Sequence, residues 1–256
     1  MRWVAWACLF LVGCAREVFD HTGPATLDAG ADAGMDAGPA AVDCETAEPG
    51  TRCDDDNVCT PASTCRDRQC LGGTSSRECL VASTGDSAED EQGKNGWFYG
   101  FWNASQDEDD YYDSATDFEP MERCPDSNWR PPGVCELTRE DEGFRWTSNL
   151  GFSLQHPETN PDVELPIRRW VSTVSGPARL VVSHHVGGTF GDGTRALLLI
   201  DGDEIWRHDA IAGDTVGTEM TFEVELRVGT VIDQLVHPIE SSADDTTYFD
   251  LKVEGR

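Results

Sequence analysis

The chain is poor in positive charge: 19 Lys and Arg stand against 48 Asp and Glu, a formal net charge of −29. Such an excess repels phosphate backbones and anionic lipid surfaces, which excludes nucleic acid as a partner. Beyond its first residues the chain also lacks an apolar run long enough to cross a bilayer, which takes about 20 helical residues. The best remaining run, Ala196–Ile200, reads instead as a buried strand. There is no G-x-S-x-G elbow, no H-E-x-x-H pair and no phosphate-cradling glycine loop with lysine. Carboxylate pairs are so abundant that none can be singled out as a glycosidase pair. The sequence is therefore read as that of a non-enzyme. Paired C-x-x-C knuckles are absent, which argues against zinc. So is any capped 3.6-residue apolar period, which argues against a helical fold.

What is present begins at the amino terminus. Arg2 is followed by an uncharged, mostly apolar stretch from Trp3 to Val12, the plan of an export signal over residues 1–13. Leu11-Val12-Gly13-Cys14 resembles the lipobox of bacterial lipoproteins. That resemblance implies cleavage before Cys14 and lipidation of its thiol and new amino terminus, palmitate included. One acyl chain anchors only marginally, whereas several hold a protein stably to a lipid bilayer. Ala15 stands where the family's inner-membrane retention signal has aspartate, so the resemblance implies the outer membrane of the cell envelope.

Residues 14–43 read as a disordered tether, with Asp28-Ala-Gly, Asp32-Ala-Gly and Asp36-Ala-Gly repeating at a four-residue period. A flexible chain of that length spans roughly 30 Å. Residues 44–79 are dense in cysteine and short of apolar side chains, so disulfides must substitute for a core. Cys44, Cys53, Cys59, Cys65, Cys70 and Cys79 fall here, and Cys124 and Cys135 lie farther on. An even count in an exported chain implies three bridges and one, with the pairing within 44–79 left open. The segment resembles the small cysteine-rich repeats of secreted surface proteins. Asp54 to Asn57 read as a solvated turn rather than a calcium loop. Residues 80–94 are expected to link this module to a domain over 95–256.

In that last domain the apolar period becomes two. Phe222, Val224, Leu226 and Val228 alternate with Glu223, Glu225 and Arg227, and 180–186, 231–237 and 248–253 behave similarly. Strands over 196–200 and 204–208 flank Asp201-Gly202-Asp203, a tight hairpin signal. Short strands with glycine-rich turns predict a mainly β chain ending in a jelly-roll β-sandwich.

Trp97-Phe-Tyr-Gly100, Arg168-Arg-Trp170, Leu199-Ile-Asp-Gly202, Ile205-Trp206, Gly229-Thr-Val-Ile-Asp233 and Asp244-Asp-Thr-Thr-Tyr-Phe249 resemble a family of exported carbohydrate-binding-module-like β-sandwiches. The resemblance covers roughly residues 90–256 and implies a non-catalytic module whose ligand is a glycan. The alternative is a structural or protein-interaction lipoprotein of the envelope, with a hydrolase third. The family likeness also implies a structural Ca²⁺, with Asp244-Asp245 or Asp107 to Asp110 as oxygen donors. Sugars pack on aromatic faces, so Trp129, Tyr111, Tyr112 and Trp102 are the ligand-binding candidates. Trp170 and Trp206 sit in strand patterns and are assigned to the core. His184 and His185 are adjacent in a strand and must point to opposite faces, while His208 and His237 end strands and have the chance to meet.

Overall fold

The computed structural model describes residues 42–60, 63–72, 79–86, 91–108, 111–137, 147–150, 153–159 and 162–256, all within one compact unit, Ala37–Arg256. Cys14 and most of the expected tether lie outside these residues, as do Asp109, Asp110 and Trp146.

The cysteine-rich module contains a small antiparallel pair, β1 (Thr64–Arg66) and β2 (Gln69–Leu71). Its bridges are Cys44–Cys65, Cys53–Cys70 and Cys59–Cys79, and Cys124–Cys135 forms the separate fourth. All eight candidate thiols are therefore consumed in pairs. The expected linker 80–94 does not simply link. Its beginning belongs to β3 (Cys79–Ser83), which pairs antiparallel with the last strand of the sandwich, so the Cys59–Cys79 bridge ties the module directly to a sheet. Gly255 in that last strand makes the approach possible: a Cβ there would fall 2.3 Å from Val58 and 2.5 Å from the Cys59 sulfur.

The remaining strands follow in chain order: β4 (Trp97–Asn103), β5 (Glu119–Pro120), β6 (Glu122–Arg123), β7 (Trp129–Arg130), β8 (Ser148–Leu150) and β9 (Leu154–His156). Then come β10 (Glu164–Val171), β11 (Gly176–Val186), β12 (Gly193–Ile200) and β13 (Asp203–Ile211). The chain ends with β14 (Thr218–Leu226), β15 (Val231–Pro238) and β16 (Thr247–Gly255). They form two antiparallel sheets. One has the order β13-β12-β15-β10-β4-β5; the other runs β14-β11-β16-β9-β8-β7-β6, with β3 added on β16. Among the described residues there is no α-helix.

The alternation read from the sequence is what joins the sheets. Ala178, Leu180 and Val182 of β11 and Phe249, Leu251 and Val253 of β16 face Trp97, Tyr99, Trp170, Leu198 and Ile232 across a single core. The hairpin between β12 and β13 has a two-residue turn, Asp201 and Gly202, both at positive φ, which matches the twist of the flanking strands. The edge strand β14 directs Glu219, Glu223 and Glu225 away from the core, a placement of charge that discourages edge-to-edge pairing.

Two features depart from simple alternation. First, polar side chains enter the space between the sheets. Asn149 donates to the Gly100 and Ile167 carbonyls, and Gln155 donates to those of Pro166 and Gln234. Arg168 is fully buried and donates to the Leu150 and Leu154 carbonyls, with burial pulling its guanidinium down to about 10. Second, β10 is buried on both faces. Its outward residues Leu165 and Ile167 join Trp102, Tyr112, Leu199 and Leu235 in a second apolar cluster. The six-stranded sheet is thus roofed by the connection between β4 and β5.

Candidate functional site

That roof is held by charge. On the outer face of the six-stranded sheet, Arg169 donates to both oxygens of Asp233 at 2.8 Å. Arg169 Nη2 also reaches the Tyr112 hydroxyl at 2.9 Å and the Ser114 carbonyl at 2.7 Å. Tyr112 in turn donates to Asp233 Oδ2 at 3.0 Å, and the guanidinium lies 4.1 Å from the centre of the Phe118 ring. Burial works to lower the pKa of Arg169, but the hydrogen bonds and charge of Asp233 outweigh it and raise the value. Burial also pushes the Asp233 carboxyl up, against Arg169 and Tyr112; the two-pronged contact identifies the pair as ionic. Burial, together with the Asp233 charge, raises the Tyr112 phenol as well, so it stays protonated and able to donate. Gly100 completes the seat, since a Cβ there would lie 2.5 Å from the Phe118 ring and 2.6 Å from the Glu119 carbonyl.

The roof and the rim of β4 enclose a cavity of about 480 Å³, open to solvent and lined by Trp102, Asn103, Gln106, Asp107, Glu108, Thr116, Asp117 and Glu119. Trp102 Nε1 donates to Asp107 Oδ2 at 2.9 Å. Asn103 donates to Asp162 at 3.3 Å, while its buried Oδ1 has no hydrogen-bond partner among the described residues. Thr116 donates to Asp117 Oδ1 at 2.8 Å. Four carboxylates and two amides are therefore offered beside one indole, and no lining side chain is cationic. Such a wall accepts hydrogen bonds from hydroxyl and ammonium groups and repels anions.

The four aromatic candidates part company here. Trp102 lines the cavity but is largely covered, at 8% exposure. Tyr112 is buried and serves the Arg169–Asp233 pair, so it anchors the roof rather than meeting a ligand. Tyr111 is 58% exposed and does not line the cavity. Trp129 is a correction. A ligand-binding tryptophan must face solvent, but Trp129 is buried: it lies in β7, pairs with Asn149 and stacks on Tyr99 with ring centres 4.7 Å apart. The Cys124–Cys135 bridge folds its loop back so that the indole turns into the core. An open row of exposed tryptophans is not what this site offers. Its signal in the sequence was polar: Asn103, Gln106 and Asp107 immediately after an aromatic strand.

The histidines are also rearranged. His184 and His185 do point to opposite faces, but His208 meets His184, with the two Nδ1 atoms 3.0 Å apart, and not His237. Thr247 donates to the His185 carbonyl and Thr194 donates to Thr247, which leaves Thr194 to accept from His184 Nε2–H. His184 Nδ1 is then the acceptor of His208 Nδ1–H. Burial, helped by the charges of His208 and His185, drives His184 down to about 3. Trp170 lies in the core as expected, and Trp206 packs against its margin, stacked on His208.

No family model matches the chain, and no curated protein matches it. Among solved structures it is similar to a family 35 carbohydrate binding module from Clostridium thermocellum. The two are 17% identical with a TM-score of 0.25, over 35% of this chain and 68% of that one. A CBM35 from Paenibacillus barcinonensis is 13% identical with a TM-score of 0.23, over 34% and 69%. A β-glucosidase from Kluyveromyces marxianus in complex with glucose is 14% identical with a TM-score of 0.30, over 66% of this chain and only 16% of that one. At these scores none of the three assigns a ligand or an activity to this chain.

Proposed function

We propose that this chain is an exported lipoprotein, anchored to the envelope through Cys14, whose sandwich is a non-catalytic glycan-binding module. The observation that supports the reading most is the roofed cavity: acceptor-rich, open, and carrying a buried Asn103 oxygen that lacks a hydrogen-bond partner among the described residues. Its chemistry narrows the ligand class. Carboxylates accept sugar hydroxyls and pair with the ammonium of amino sugars, whereas uronates and sulfated sugars meet four like charges. The preferred ligand is therefore a neutral or amino-bearing glycan.

A panel of soluble oligosaccharides (neutral, glucosamine-type and polyuronate) titrated into the purified chain tests this. Binding to the first two and not to the third is expected. Binding to none, or to polyuronate alone, rejects the reading. A second reading, a protein-interaction lipoprotein, is favoured by Ile211 at the end of β13, Val216 in the connection that follows and Met220 in β14, exposed at 67%, 93% and 43%. It gains if every sugar fails.

A further inference from the structure

His184 and His208 meet across the gap between the two sheets, at one margin of the sandwich. His184 lies on β11 of the eight-stranded sheet, and His208 on β13, the outermost strand of the six-stranded one. Their rings stand almost perpendicular, at 86°, with the Nδ1 atoms 3.0 Å apart. His184 is buried, whereas His208 is half-buried and lies along the Trp206 ring.

The His184 ring is oriented from behind. The relay from the His185 carbonyl through Thr247 leaves Thr194 Oγ1 to accept from His184 Nε2–H at 3.1 Å, so the Nδ1 lone pair is presented to His208. One ring nitrogen donating to a neighbour while the other offers its lone pair is how metal-binding histidines have tautomer and ring fixed. His208 is the adaptable partner. Its proton can sit on Nε2 instead of Nδ1, which turns Nδ1 from donor into ligand with no change of charge. Asp214, and to a lesser degree Asp209, which is paired with Arg195, favour positive charge at His184.

The spacing selects among metals. With imidazole nitrogens about 2.0–2.1 Å from an ion, a separation of 3.0 Å subtends about 95° at the metal. Tetrahedral zinc would hold the two nitrogens about 3.3 Å apart. Right-angled neighbours belong instead to the square-planar or tetragonal shells of copper(II) and nickel(II). We propose that His184 Nδ1 and His208 Nδ1 bind a divalent transition-metal ion, copper(II) by their spacing, which clips β11 to β13. Among the described residues no third imidazole, thiolate or carboxylate closes around the pair, so water takes the remaining positions and they stay open to exchange. The pair shares no residue with the acidic cavity, and its failure would leave the glycan reading intact.

Copper(II) calorimetry on the purified chain, beside His208→Asn and Thr194→Val, tests the site. Asparagine keeps an N–H for His184 Nδ1 but offers no imidazole. Valine keeps the shape of threonine and removes the acceptor for His184 Nε2–H. The wild type should take up one copper ion more than His208→Asn. Thr194→Val should bind that ion roughly 10–100-fold more weakly, the usual effect of removing the partner of a metal-ligating histidine. Copper uptake by His208→Asn equal to that of the wild type overturns the proposal, as does unchanged affinity in Thr194→Val. Should either variant fail to fold, electron paramagnetic resonance of the wild-type copper complex decides. Two coordinated imidazole nitrogens sustain the site; one or none rejects it.

Discussion

Arg169 grips both carboxylate oxygens of Asp233 at 2.8 Å while Tyr112, from the roof, touches both partners. The Asp233 side chain has no solvent exposure and that of Arg169 has 10%. Removing one partner strands the other. Asp233→Ala should therefore cost about 3–5 kcal/mol, the range for breaking a buried ion pair. Tyr112→Phe keeps the ring and loses only the bridging hydroxyl, at about 1–3 kcal/mol. Urea denaturation of the two variants checks the order as well as the sizes.

Trp129→Ala separates core from ligand. The indole is 4% exposed and stacked on Tyr99, so its loss should destabilise the chain by about 3–5 kcal/mol. Glycan affinity measured at low temperature, where the variant is still folded, should be unchanged. A variant of full stability and no affinity would place Trp129 at the site after all.

Breaking Cys59–Cys79 should loosen more than the small module, because β3 carries Cys79 into the sandwich. With 20 residues of separation, loop closure alone predicts a loss of about 3 kcal/mol. Hydrogen exchange in the double serine variant should show added opening along β16 as well as in residues 44–72.

How much of this was legible in the sequence depends on what each residue meets. Strands such as β11 and β14 were readable because one face is apolar and the other is not. The hairpin at Asp201-Gly202 was readable because its turn requires positive φ. The roof was not, since its partners are far apart in sequence: Tyr112, Arg169 and Asp233 carry no local pattern. A signal did exist between Val163 and Trp170, where Val163, Leu165 and Ile167 fall on one parity and Trp170 on the other, as a strand buried on both faces requires. The β3 strand was missed because Leu80 faces outward at 56% exposure and its flanks are polar. Trp129 was misplaced because Arg130-Pro-Pro reads as loop until a disulfide turns it inward.

His184 makes stability depend on acid. Its folded pKa is driven from 6.5 to about 3 by burial, then by His208 and His185, with Asp214 and Asp209 opposing. The unfolded chain therefore takes up a proton near 6.5 that the folded chain refuses. This contribution is fully present above about 6.5 and is lost as pH falls from there toward about 3. Melting curves across that window should show His184→Gln with a flatter pH dependence than wild type.

The most direct test of the central claim is calorimetry of a neutral or glucosamine oligosaccharide bound by the wild-type chain, against Asp117→Asn and Glu119→Gln. Both side chains line the cavity, and neither belongs to the Arg169–Asp233 anchor. Each change should leave the melting point within about a degree or two, as surface substitutions do. The prediction is a loss of affinity of about tenfold, about 1.4 kcal/mol, for one charge-assisted hydrogen bond. Unaltered affinity in both variants would contradict the assignment of the acidic cavity as the binding site.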